Sequence, residues 1–219
     1  MKVLVLAPHP DDEVLGCGGV IARGTASGHE THVVVITRGA ADIFDPAGIA
    51  ATRVEMRKAH GILGVAQTHE LEFPAPRTDT VAIHIVADQI RKIVKEVQPD
   101  VVYVPHHGDL HHEHEIVYTA GLVASRPTHS SVRKILAYET LSETDWAPAR
   151  PDTTFIPNVF TDISQFVHLK LDAMRCFQSQ LHVAPAPRSV EALEALARLR
   201  GSTIGVHAAE AFMLVREIV

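Results

Sequence analysis

The sequence predicts an α/β fold, a doubly wound, mostly parallel sheet with helices on both faces. Three observations carry that expectation. Apolar runs recur at Val3–Ala7, His32–Thr37 and Val101–Pro105. Runs that are continuously apolar, rather than alternating, belong to strands buried on both faces. Segments of helical periodicity lie between them, and strand alternating with helix in units of this length makes parallel β-α-β connections.

Taken in order, the first strand leads into a helix over Glu13–Ser27, and the second is followed by a helix over Ala51–Leu63 that stops at Gly64. A weaker strand, His69–Phe73, comes next. The clearest helix is Val81–Val97, with Ala82, Val86, Ile90, Ile93 and Val97 on one face and Pro99-Asp100 closing it. Strand Val101–Pro105, helix Glu113–Ala124 and a fifth strand at Lys134–Glu139 complete the pattern. Ser142–Pro157 breaks it with Pro148, Pro151 and Pro157 around Trp146, and reads as a surface excursion. Two amphipathic helices follow, Ser164–Gln178 and Ser189–Arg200. Periodicity leaves Val206–Val219 open between a helix and an edge strand. A single domain is expected, with residues 1–140 as its core and 141–219 as a C-terminal elaboration.

Composition narrows the function. A hydrophobic fraction of 46% over 219 residues supports a real core. The net charge of −6 makes nucleic acid and anionic membrane surfaces poor partners. Two cysteines, Cys17 and Cys176, form no disulfide framework, and a reducing cytoplasm fits them. The apolar start cannot serve as a signal segment, because Pro8 and Pro10 interrupt it and Asp11, Asp12 and Glu13 follow. No stretch is long and apolar enough to span a bilayer.

The chemistry concentrates in two segments. Ala7-Pro8-His9-Pro10-Asp11-Asp12-Glu13 follows the first strand, and Gly108-Asp109-Leu110-His111-His112-Glu113-His114 follows Val101–Pro105. In open α/β sheets ligands bind outside the carboxyl ends of the strands, where strand order reverses. If the order is 3-2-1-4-5, the two segments face each other across one crevice. Imidazole and carboxylate are good zinc ligands, and three of them leave a position for water. A neighbouring unbound carboxylate can take that water's proton. Asp11 and Asp12 supply both roles, and spacing does not say which is which. Either segment alone could be a first-turn acidic cap or a solvated loop; both together, each after a buried strand, point to a metal.

His-Pro-Asp-Asp-Glu after a first strand, with a later His-x-x-His, resembles the LmbE-like (PIG-L) zinc-dependent de-N-acetylases, which share a Rossmann-like fold. Arg53-x-Glu55, Leu63-Gly64-Val65, Cys176-Phe177-Gln178-Ser179-Gln180 and Ala209-Glu210-Ala211-Phe212 resemble that family's further signatures. The resemblance implies hydrolysis of an N-acetyl group from an N-acetylglucosamine-type sugar, with Zn2+ held by His9, Asp12 and His114. It makes Asp11 the general base and His111 the group that stabilises the oxyanion or protonates the leaving amine. Arg53 would contact the sugar or position the acid loop, and a homo-oligomer, trimer or hexamer, is implied. The chain departs from the family at His111-His112-Glu113-His114-Glu115, where members usually read His-Pro-Asp-His-Arg, so His112 with His114 is an alternative ligand pair.

Arg38 and Asp42, after the second strand, join Arg53 and Asp109 as expected substrate contacts, suited to hydroxyls and one anionic substituent. His106 and His107 are expected to be structural, and His29, His32, His60, His69, His84 and His168 ordinary surface or packing residues. Gly16, Gly18 and Gly19 hint at a dinucleotide loop, but Ile21 stands where the fingerprint needs its last glycine. They are expected instead to let the first helix pack closely, with Cys17 buried among them.

Overall fold

The computed structural model describes residues 1–219. Its strands are β1 Lys2–Ala7, β2 Glu30–Gly39, β3 Gln67–Ala75, β4 Val101–Pro105, β5 Lys134–Tyr138, β6 Val159–Asp162 and β7 Ala209–Glu217. Its helices are α1 Asp12–Ala26, α2 Pro46–Leu63, α3 Ile83–Val97, α4 His112–Ala124, α5 Val167–Arg175 and α6 Val190–Ile204. One seven-stranded sheet runs in the order β3-β2-β1-β4-β5-β7-β6. The first five strands are parallel in the anticipated 3-2-1-4-5 order, and β7 runs antiparallel to both β5 and β6. The fold is Rossmann-like, and strand order reverses between β1 and β4.

Strand alternation divides the core in two. Val3, Val5, Ala7, Val33 and Val35 meet α1, α2 and α5 on one face, while Leu4, Leu6, Val34, Ile36, Val102 and Val104 meet α3 and α4 on the other. Burial on both faces is why these strands read as unbroken apolar runs.

Several boundaries moved. Helix α2 begins at Pro46, earlier than its periodicity indicates: the Asp45 side chain accepts from Gly48 N, and Pro46 opens the first turn without losing a needed N–H. Helix α5 is shorter than expected. The segment left open between helix and edge strand is β7, an interior strand. The true edge is β6, whose four residues carry too little pattern to be read. Residues 141–219 thus add to the same sheet.

The three glycines of α1 do permit close packing. A Cβ on Gly16 would overlap the Tyr138 ring, and one on Gly19 would overlap Ile163. Tyr138 is fully buried and donates its hydroxyl to Leu6 O at 2.8 Å, so it has nowhere to retreat. Overpacking of this kind costs roughly 1–3 kcal/mol. Gly16→Ala should therefore lower the midpoint of thermal unfolding by several degrees, about 2–4 °C per kcal/mol for a chain this size. Gly61→Ala, inside α2 where an added Cβ meets nothing within 4 Å, should raise stability by about 0.5–1 kcal/mol. Scanning calorimetry of both variants checks the pair, and equal shifts would refute the packing account.

Candidate metal centre and its crevice

The loop after β1 is built to separate two adjacent carboxylates. Asp11 takes φ 122° and ψ −28°, a region that side chains other than glycine rarely adopt. Its N–H donates to Glu13 Oε2 at 3.1 Å, and Glu13 Oε1 lies 2.9 Å from His60 Nε2. His60 Nδ1 in turn lies 2.6 Å from Thr68 Oγ1 on β3. Glu13 and His60 are both buried. His60, expected to be ordinary packing, instead anchors the carboxylate that fixes the turn.

The turn sends Asp12 inward. Its Oδ2 lies 3.1 Å from His9 Nδ1 and 3.3 Å from His114 Nε2, and it accepts from His9 N at 2.8 Å. His114 reaches this point from the first turn of α4, which starts beyond the carboxyl end of β4. Its Nδ1 lies 2.7 Å from Asp109 Oδ2, while Asp109 Oδ1 accepts from Thr144 Oγ1 at 2.6 Å. A ring that donates from Nδ1 to a carboxylate turns the other nitrogen's lone pair toward a metal. This corrects the expectation that Asp109 meets substrate: its side chain is fully buried behind His114, with both oxygens engaged.

The residues fit a divalent ion. Ring nitrogens of His9, His111 and His114 all lie within 4.8 Å of one another. Asp12 Oδ1 and His114 Nε2 are buried with no hydrogen-bond partner, and buried polar atoms of that kind are rare without a missing partner. His111 belongs to the geometric cluster, yet it stands at the exposed rim with Nδ1 3.5 Å from Glu143 Oε2. His112 points away to Glu115 and is mostly exposed, so the alternative pair is not assembled.

For Asp11, burial is the strongest influence and lifts its pKa well above the usual carboxylate range; the Arg188 guanidinium opposes this, and Asp12 and Glu13 add to it. Burial also works to raise Asp12, but the charge of the His114 ring 3.3 Å away and the hydrogen bonds from His9 outweigh it and hold that carboxyl well below its ordinary value. For His114, burial favours the neutral ring, but the Asp12 charge and the Asp109 hydrogen bond overcome it and push the pKa up to about 10. Burial lowers His111 against the pull of Glu143.

Beside the cluster lies a crevice of about 630 Å³, lined by His9, Asp11 and His111 and by Arg38, Arg53 and Arg188. Arg53 is buried, and its guanidinium goes to Glu70 and the carbonyls of Thr37 and Leu71. It braces the ends of β2 and β3 instead of offering a free donor. Arg38 lines the crevice and pairs with Glu72 at 3.2 Å. Asp42, expected at the substrate, is instead an exposed partner of Arg77 and does not line the crevice.

Sequence reasoning missed two groups. Arg188 donates to Asp11 Oδ2 at 3.0 Å, to Ser142 Oγ at 2.8 Å and to Glu143 Oε1 at 3.2 Å. Glu143 is buried at the start of the Ser142–Pro157 excursion. His106 and His107 play the structural part expected of them, holding that excursion through the carbonyls of Thr153 and Asp152. Arg188 lies in the proline-rich Val183–Arg188 loop, where no periodicity marks it.

The family model of GlcNAc-PI de-N-acetylases (PIG-L) matches residues 4–125. An uncharacterised deacetylase of Escherichia coli, YaiS, is 33% identical over 81% of this chain and 90% of its own length. The diacetylchitobiose deacetylase of Thermococcus kodakarensis is 30% identical over 82% of this chain and 70% of its own. Among solved structures, the N,N'-diacetylchitobiose deacetylase of Pyrococcus horikoshii superposes with a TM-score of 0.79 at 24% identity, covering 98% of this chain and 84% of that one. A 4-carboxy-2-hydroxymuconate hydratase from Pseudomonas putida superposes at 0.77 and 22% identity, covering 100% and 97%. At such identities the superpositions establish the fold alone.

A proton on His114 occupies the lone pair a metal ion needs. With that pKa near 10, metal binding at neutral pH should expel about one proton per site. Calorimetric titration of the metal-free protein in buffers of different ionisation enthalpy measures the number directly. Binding without proton release would show His114 to be neutral beforehand.

Proposed function

The chain belongs to the PIG-L family of de-N-acetylases and is a hydrolase of acetamide bonds, and on that premise we propose that it is a zinc enzyme acting on an N-acetylglucosamine-type sugar or small glycoside. One observation supports the metal above all: two fully buried polar atoms, Asp12 Oδ1 and His114 Nε2, without partners beside His9 at the wall of an open crevice. His9, Asp12 and His114 are proposed as the ligands, with His111 on the open side. The substrate class rests on the relatives, since the diacetylchitobiose deacetylase is 30% identical to this chain.

Zinc held there would supply Lewis-acid polarisation of an amide carbonyl and acidify water. Asp11 is proposed to receive the proton of the attacking water. Its Oδ2 is tied to Arg188, which leaves Oδ1 as the accepting atom. Burial raises its proton affinity and Arg188 opposes that rise; a positioned carboxylate within reach of the water can act as its general base. His111 stands across the cluster, its ring centroid 5.2 Å from that of His9. With Nδ1 toward Glu143, its Nε2 is the atom proposed to protonate the departing amine. Glu143 stabilises the imidazolium that must form before transfer.

The two carboxylates separate these roles experimentally. Asp11→Asn should keep its zinc and lose kcat by about 10²–10⁴, the usual worth of a general base. Asp12→Asn and His114→Ala should lose the metal instead. Elemental analysis beside a deacetylation assay on N-acetylglucosamine glycosides reads both, and metal lost from the Asp11 variant but kept in the Asp12 variant would exchange the assignments. Hydrolysis of acetyl-lysine peptides with no turnover of any N-acetyl sugar would sink the sugar substrate and leave the hydrolase.

A further inference from the structure

Three residues other than glycine take a positive φ: Asp11 at 122°, Gln98 at 54° and Ser142 at 72°. Gln98 is the left-handed C-cap of α3, an ordinary use of that conformation. The other two lie in the loops after β1 and after β5, and a single guanidinium binds both. Strain of this kind collects at functional sites, where the surrounding contacts over-determine it.

The guanidinium is that of Arg188, and each of its three nitrogens has its own acceptor. Nη1 donates to Asp11 Oδ2 at 3.0 Å, Nε to Ser142 Oγ at 2.8 Å and Nη2 to Glu143 Oε1 at 3.2 Å. Ser142 is held from its other side, its N–H donating to Asp145 Oδ1. The second Glu143 oxygen is buried without a hydrogen-bond partner and lies 3.5 Å from His111 Nδ1. One arm of the fork therefore grips the proposed base, and another grips the carboxylate that faces the proposed acid.

The loop that carries Arg188 does not need these contacts to hold its place. It connects α5 to α6, and residues 182–185 are exposed. Its neck is closed by the backbone, His182 N–H donating to Arg188 O at 2.9 Å, and the next residue, Ser189, caps α6 by accepting from Ala192 N. Buried ion pairs contribute little net stability, whereas a planar fork of fixed donors sets the relative orientation of its acceptors.

Resting on the deacetylase reading, we infer that Arg188 is a positioning residue for the reaction. Its fork fixes Asp11 and Glu143 relative to each other, so that base and acid meet the substrate amide from set directions. Arg188 acts through these two carboxylates and touches no reacting atom.

The zinc-loaded enzyme and its Arg188→Ala and Arg188→Lys variants are assayed on N,N'-diacetylchitobiose. Arg188→Ala should keep its zinc and lose kcat by about 10²-fold, the scale of a misplaced catalytic group. Its KM should move by less than about threefold, because ground-state binding is untouched. Guanidinium ion, at concentrations harmless to the unaltered enzyme, should recover about tenfold of the lost kcat, and urea, uncharged but of the same shape, none. A merely structural arginine gives a loss that guanidinium does not repair, or one that follows zinc content, and either result would overturn the role. Arg188→Lys keeps the charge without the fork, so its kcat should fall by about tenfold or more with zinc content and thermal midpoint unchanged. The lysine variant carries the test if the alanine chain fails to fold, and an undiminished kcat there would overturn the fork while leaving the deacetylase intact. No turnover of any N-acetyl sugar by the unaltered enzyme would reject the deacetylase reading, and the role of Arg188 with it.

Discussion

Two neighbouring carboxylates must point in different directions for this site to exist, and the left-handed backbone at Asp11 is what separates them. A non-glycine residue in such a region costs of order 1–3 kcal/mol. One hydrogen bond from its N–H to the Glu13 carboxylate is worth roughly 1.5–3 kcal/mol, because the acceptor is charged. The two magnitudes are comparable, so the turn depends on Glu13 staying in place. Burying Glu13 is in turn tolerable because His60, bonded to Thr68, meets its second oxygen. The geometry of Asp11 and Asp12 therefore depends on a side chain forty-odd residues away on α2, and through it on the position of β3.

The same logic of paired burial governs the opposite wall. His114 is oriented by Asp109, Asp109 by Thr144, and Thr144 belongs to the excursion after β5. Arg188 ties that excursion to Asp11. The proposed base and the proposed acid thus share one electrostatic circuit, Asp11–Arg188–Glu143–His111, assembled from four separate stretches of chain. Such a circuit confers orientation more than stability, since buried ion pairs do little better than break even against desolvation. The hydratase that shares this fold makes the complementary point: the sheet supplies a crevice, and the side chains at its rim decide the reaction.

How much of this was legible depended on whether a residue's role was local. Val3–Ala7 and Val101–Pro105 announced themselves by their composition, and with them the switch point that brings His9 and His114 together. The two segments that hold His9, Asp12 and His114 were readable because each follows one of those strands, whereas the choice of these three as ligands came from the family resemblance and remains a proposal. Arg188 and Glu143 were not, because their significance lies in contacts across 177 and 45 residues, and nothing in a proline-rich loop advertises them. Asp109 was read as a substrate contact because a polar residue beside a site looks free; only three-dimensional packing shows its oxygens taken. Strand β7 was ambiguous because nine residues flanked by strands on both sides alternate too weakly to distinguish an interior strand from a helix.

The Glu210 carboxylate on β7 accepts from the main-chain N–H groups of Gly19 and Val20, at 2.8 and 2.7 Å, and pairs with buried Lys170, whose ammonium reaches Leu15 O at 2.8 Å. Helix α1 therefore borrows two of its acceptors and one donor from outside itself. On the ribosome, the residues on either side of Pro10 emerge well over a hundred residues before the strand that completes their helix. Contacts so distant in sequence form late and slowly, and domains fold as units once their parts are present. A nascent chain carrying the whole of the family-matched segment, residues 4–125, holds His9, Asp12 and His114 but still lacks the strand whose Glu210 receives the α1 N–H groups.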